Sequence, residues 1–138
     1  MSFVEMHAGL ASAYQSERAP LVCVVDDDLS LLRALQRLLG AGGFTVETFA
    51  SAEDFLESDR REQARCLVLD VHLGGLSGFD LHDRLVAGGL RIPVVFITAH
   101  DDTATRERAR RAGAVAYLRK PFDDDSLIGA INRAIGHA

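Results

Sequence analysis

Four short stretches each set a polar residue of definite chemistry directly behind an apolar run. VVDDD puts Asp26, Asp27 and Asp28 after LVCVV (21–25), and CLVLD (66–70) ends in Asp70. VVFIT ends in Thr98, and AYLRK ends in Arg119 and Lys120. If the strands that carry them are neighbours, several carboxylates crowd one basin. Bare like charges at ~4 Å repel by roughly 4 kcal/mol even at an effective dielectric near 20, so such a basin is unstable alone. A divalent cation relieves it. Mg²⁺ prefers hard oxygen ligands and binds through a few carboxylates, waters and phosphate oxygens. Lys120 adds a mobile positive charge and Thr98 a hydroxyl donor. Carboxylates, cation, ammonium and hydroxyl together make a cradle for a phosphoryl group.

The elements that must position these residues follow from periodicity. LVCVV is a short, fully apolar run, and Leu31, Leu32, Leu35, Leu38 and Leu39 then recur at helical spacing until Gly40, Gly42 and Gly43. TVETF (45–49) reads as a second strand from its β-branched and aromatic residues. Ser51 caps a helix expected to reach about Glu62, with Asp54 placed to complete a capping box. CLVLD (66–70) is the third strand. A helix from about Gly78 to Ala87 is ended by Gly88 and Gly89. PVVFIT (93–98) is the fourth strand, with proline at its permitted first position. A charged helix over 102–112, a fifth strand VAYL (115–118) and a last helix from Asp124 to Ile135 complete the pattern. Strands 1, 3 and 4 are apolar on both faces, as a parallel sheet covered by helices on both sides requires. Right-handed crossovers then give an α/β, doubly wound, three-layer sandwich, in which ligands bind outside the carboxyl ends of the strands.

Bulk composition agrees. The 138 residues are 48% hydrophobic and 25% charged, which suits one globular domain. The net charge of −5 argues against general nucleic-acid binding. No apolar run approaches the ~20 residues of a membrane span. The first twenty residues lack the basic start of a secretory signal, since no Lys or Arg precedes Arg18. The two cysteines, Cys23 and Cys66, lie inside apolar runs and read as reduced core thiols of a cytoplasmic protein.

The ordered set VVDDD, LVLDVHLGGLSG, VVFITAH and AYLRKPF resembles the receiver domain of two-component response regulators, a CheY-like, flavodoxin-like family. The resemblance covers residues 21 to about 136. It implies a (βα)5 fold with strand order 2-1-3-4-5, a receiver domain over 21–138 and an N-terminal extension over 1–20. It implies that Asp70 accepts a phosphoryl group from a phosphohistidine of a sensor histidine kinase or phosphotransfer protein. Asp26, Asp27, Asp70 and the backbone carbonyl of His72 correspond to the family's metal ligands for Mg²⁺ or Mn²⁺. Thr98 and Lys120 correspond to the residues that grip the phosphoryl oxygens, and Tyr117 to the switch aromatic. A cis Lys120-Pro121 bond and self-pairing through the fourth helix, fifth strand and fifth helix are further implications.

The chain departs from the family pattern at Gly74, where proline is frequent, so the loop after Asp70 is expected to be more mobile. His72 and His100 occupy the positions two beyond Asp70 and Thr98, and are expected to modulate phosphoryl lifetime. A rival for them is a transition-metal site shared with the aspartates, since imidazole suits such ions. Plainer readings stand beside these. Asp28 fits a helix cap, Tyr117 a half-buried strand aromatic, and Arg106, Arg108, Arg110 and Arg111 a solvated helix face or a docking face for an acidic partner. Phe3, His7, Leu10 and Tyr14 recur at helical spacing in the leading segment. Other functional classes remain open: the receiver portion of a DNA-binding regulator, a Mg²⁺-dependent phosphatase, and, more weakly, a nucleotide binder, whose pyrophosphate the acidic first turn would repel.

Overall fold

The computed structural model describes residues 19–136. The expected extension and its apolar spacing at 3, 7, 10 and 14 therefore lie outside the described residues. Five parallel strands form one sheet: β1 (Leu21–Val25), β2 (Thr45–Phe49), β3 (Ala64–Asp70), β4 (Val94–Thr98) and β5 (Ala116–Arg119). Their order is β2-β1-β3-β4-β5. Five helices connect and follow them: α1 (Leu29–Ala41), α2 (Ala52–Glu57), α3 (Gly78–Ala87), α4 (Thr103–Arg111) and α5 (Asp124–Ala134).

Alternation along the central strands divides the core in two. Val22, Val24, Val68, Val95 and Ile97 face Leu32, Leu35 and Leu39 of α1 and Leu127 and Ile131 of α5. Cys23, Leu67, Leu69 and Phe96 face Phe55 of α2 and Phe79, Leu81 and Leu85 of α3. The sheet is thus buried on both faces, and its continuous apolar strands are the consequence. Cys23 pairs in register with Leu67, and Val22 with Cys66, so the two thiols point to opposite faces and cannot join. Burial pushes both thiols up to about 12.

Several boundaries differ from expectation. Helix α2 stops at Glu57 rather than near Glu62, and a 3₁₀ turn over Arg61–Gln63 follows. Leu56 is the last apolar residue before Ala64, so a longer helix would have no face to bury, and Ser58 turns to extended backbone (φ −71°, ψ 136°). Strand β3 starts at Ala64, two residues early, and β5 is shifted one residue onward from the expected 115–118. At Ser51, the Oγ accepts from the Asp54 N–H at 3.0 Å, which is the forward half of the capping box.

Helix α4 is held differently from the others. Ala109 is its only buried residue. Polar contacts supplement it: the Arg108 guanidinium stands 4.6 Å from the centroid of the Phe79 ring and reaches Asp83 of α3 at 3.5 Å. The expected solvated basic face is therefore partly engaged within the chain.

Candidate functional site

The carboxyl ends of β1, β3, β4 and β5 meet at one edge of the sheet, beside the β1/β3 boundary where strand order reverses. One residue past β1, the Asp26 N–H donates to Phe49 O at 3.0 Å, which extends the ladder and carries the Asp26 side chain to the sheet end. Its carboxylate is fully buried. Oδ1 accepts from the Asp28 N–H at 2.9 Å, and Oδ2 lies 2.6 Å from Lys120 Nζ. Asp70 is 4% exposed. Its Oδ1 accepts from the His72 N–H at 3.1 Å, and Oδ2 meets Lys120 Nζ at 3.3 Å. Lys120 is aimed by its own backbone, whose N–H donates to Thr98 O at 2.7 Å. Asp27 is exposed at the rim, yet carboxylate oxygens of Asp26, Asp27 and Asp70 lie within 4.8 Å of one another.

Three carboxylates thus face one ammonium. Burial, and then the charge of Asp26, raise the Asp70 pKa, while the His72 N–H and Lys120 oppose the rise. Burial alone would lower Lys120, but its hydrogen bond to Asp26 and the charges of Asp26 and Asp70 outweigh that and raise it. The basin therefore holds more negative charge than the protein neutralises. A hard oxygen donor set with surplus negative charge fits a divalent cation of the Mg²⁺ type. Asp28 does not belong to this set. It is the N-cap of α1, accepting from the Ser30 and Leu31 N–H groups at 3.0 and 3.2 Å.

Thr98 is buried, but its hydroxyl is turned to its own loop. Oγ1 accepts from the His100 N–H at 3.0 Å and donates to His100 O at 3.2 Å. Tyr117 is half-buried, and its Oη donates to Asp101 Oδ1 at 3.2 Å. Arg106 closes on the same carboxylate with contacts of 2.8 and 2.7 Å. Burial, followed by the bond to Asp101, raises the Tyr117 pKa. Asp101 has no role in the sequence reading and Arg106 only that of a basic helix face, because a link across 16 residues leaves no periodic signal.

Gly78 is the other residue that sequence reasoning passed over. It opens α3, and its N–H donates to Val71 O at 2.9 Å. A Cβ at this position would meet Asp70 O at 2.2 Å, Asp70 C at 3.0 Å and Val71 Cα at 3.1 Å. Helix α3 can therefore start against the end of β3 only because residue 78 has no side chain. The available signal was a glycine at a helix start eight residues after Asp70. Gly74 and Gly75 pass near the acidic side chains instead: a Cβ on Gly74 would stand 3.9 Å from Asp27 Oδ2, and one on Gly75 3.1 Å from Glu53 Oε2.

Comparison with known proteins agrees with this geometry. Residues 22–132 match the family model described as the response regulator receiver domain. The response regulator protein TodT of Pseudomonas putida is 39% identical over 122 residues, covering 88% of this chain and 54% of TodT. Nodulation protein W of Bradyrhizobium diazoefficiens is 43% identical over 111 residues, covering 80% of this chain and 49% of that protein. Among solved structures, a response regulator receiver protein from Burkholderia phymatum superposes with a TM-score of 0.75 at 43% identity, covering 86% of this chain and 97% of that one. The chain spans about half the length of the curated relatives it matches.

Proposed function

The chain belongs to the response regulator receiver domain family of two-component systems, and from that premise we propose that Asp70 is its phosphoacceptor. The observation that carries this is Lys120 Nζ held between Asp26 and Asp70, at 2.6 and 3.3 Å, at the carboxyl end of a doubly wound sheet. The donor is a phosphohistidine on a histidine kinase or phosphotransfer protein. An Asp70 carboxylate oxygen forms a bond to phosphorus as the phosphorus–nitrogen bond breaks, and the imidazole keeps the electron pair. Asp26, Asp27, Asp70 and the His72 carbonyl would hold Mg²⁺ or Mn²⁺, which supplies charge neutralisation on the transferring oxygens. Lys120 provides a second positive charge, fixed in place before transfer, so stabilisation comes from positioning rather than proton transfer.

The switch uses the same residues. Phosphorylation adds charge and strong acceptor oxygens at Asp70. The Thr98 hydroxyl exchanges its 3.2 Å bond to His100 O for a phosphoryl oxygen, and Tyr117, now held by Asp101, is free to rearrange with it. The α4-β5-α5 face shifts in population as a result, and pairing of two copies through that face is the proposed response. His72 and His100 stand at the approach to the acyl phosphate and modulate its lifetime.

A hydrolase reading needs a further carboxylate free for acid–base work. Asp28, the candidate for that part, is committed to capping α1. The protein is therefore a switch that turns over only its own phosphoryl group. Two further relatives, TdiR of Thauera aromatica and FixJ of Bradyrhizobium diazoefficiens, are transcriptional regulatory proteins. Only about half of each relative is matched, so this chain corresponds to a phosphorylatable input half and no nucleic-acid contact is assigned to it. No helix among the described residues is long and apolar enough to cross a membrane, and a cytoplasmic location is proposed.

The test is addition of beryllofluoride with Mg²⁺, followed by NMR. Shifts at Thr98 and Tyr117 in the wild type, absent in Asp70→Asn, support the reading. The same shifts in both proteins refute it.

A further inference from the structure

His72 follows β3 and His100 follows β4, so their imidazoles hang from different loops at one end of the sheet. The ring centroids are 5.2 Å apart, with planes at 88°. Both residues are exposed. Among the described residues, the hydrogen bonds of His72 and His100 run through their backbone atoms, which leaves the ring nitrogens without a protein partner. An edge-to-face contact between two exposed rings contributes only about 0.5–1.5 kcal/mol. The spacing has a second meaning. Two imidazoles bound to one tetrahedral ion through bonds of ~2.0–2.1 Å bring their ring centroids to ~5 Å. Charge near the pair is favourable as well. The Asp102 carboxyl, whose Oδ1 caps α4, has its pKa lowered chiefly by the Thr105 N–H, and further by the charges of His72 and His100, so the pair sits in the field of a carboxylate.

We propose that His72 and His100 together bind one divalent transition ion, of the zinc type, at a site separate from the carboxylate basin. Ligand chemistry separates the two sites. Imidazole suits zinc, nickel and copper, whereas the all-oxygen basin suits Mg²⁺. The bound ion ties the β3–α3 loop to the β4–α4 loop across the mouth of the basin. It thereby restrains the loop that Thr98 must pull on, and it narrows the approach to Asp70. The binding itself does not depend on the phosphoacceptor reading, because it requires no phosphodonor.

Isothermal titration of the full chain with zinc, in excess Mg²⁺ to keep the aspartates occupied, reads this directly. The wild type takes up one zinc ion. His72→Gln and His100→Gln each weaken binding by roughly tenfold or more, as loss of one of two pre-positioned ligands requires. Raising Mg²⁺ further leaves the zinc affinity unchanged. Imidazole NMR signals of His72 and His100 move together when zinc is added to the Mg²⁺-loaded chain. The proposal is overturned if the wild type takes up no zinc, if either histidine variant binds as tightly as the wild type, or if further Mg²⁺ displaces the zinc.

Discussion

Gly78→Ala isolates the steric condition on which the position of Asp70, the proposed phosphoacceptor, depends. The added Cβ would stand 2.2 Å from Asp70 O, whereas ordinary contact begins at 3.4 Å, so strand end and helix start must part by about 1.2 Å. All three atoms in the way are backbone, and Asp70 O and Val71 O sit in the β3–α3 connection that fixes the Asp70 side chain. Alanine would improve helix propensity by at most about 1 kcal/mol, and by less in a first turn. Overpacking against a rigid backbone costs about 1–3 kcal/mol or more, so destabilisation wins. A displacement near 1 Å also disrupts a preorganised site, and costs on the order of 100-fold in a reaction that relies on positioning. Urea denaturation measures the first effect and the rate of labelling by a small phosphodonor the second, while Mg²⁺ titration follows the geometry of the basin. Gly40→Ala is the matched control: nothing lies within 4 Å of its Cβ, and it sits in α1, so it should stabilise by roughly 0.5–1 kcal/mol. If Gly78→Ala matches the wild type in stability and in Mg²⁺ affinity, the steric reasoning is wrong.

Three further outcomes follow from the same contacts. Asp28→Ala should cost about 1 kcal/mol of stability through loss of the α1 cap, while Mg²⁺ affinity by calorimetry stays unchanged. The raised Asp70 pKa favours the protonated carboxyl in the metal-free fold; that stabilisation is fully present below 3.8 and is lost as pH rises through the raised value. Mg²⁺ requires the carboxylate, so its affinity must fall as pH drops into that window, at higher pH than an unperturbed aspartate would give. Calorimetry across a pH series checks the direction. Cys23 and Cys66, buried with thiols pushed up to about 12, should resist a thiol reagent at neutral pH and both react on unfolding, as a colorimetric assay would show.

Much of the site was legible because apolar runs that stop at a charged residue mark strand ends. In a doubly wound sheet those ends converge, and that convergence brings Asp26, Asp70, Thr98 and Lys120 together. The cis Lys120-Pro121 bond and the strand order came with the family resemblance, and both are present. What the sequence did not disclose depends on close approach or on a rotamer. Gly78 looked like an ordinary helix start, since its contact with Asp70 O depends on how the loop closes. The clasp of Asp101 on Tyr117 and Arg106 joins a loop, a strand and a helix whose residues share no period. Helix α2 stops short of the expected end because its cap is visible in the sequence, whereas its stop is set by the lack of apolar residues between Leu56 and Ala64. Thr98 ends β4 as its apolar run implies, but its bond to the His100 backbone is a property of one rotamer.

The central claim is that one carboxylate in a cation-requiring basin captures phosphorus. Incubation with Mg²⁺ and a small phosphodonor, followed by mass spectrometry of the intact chain, measures this most directly. The account predicts one phosphoryl group per wild-type chain, lost on chelation of the metal and absent from Asp70→Asn. Equal labelling of wild type and Asp70→Asn, or labelling indifferent to metal, would contradict it.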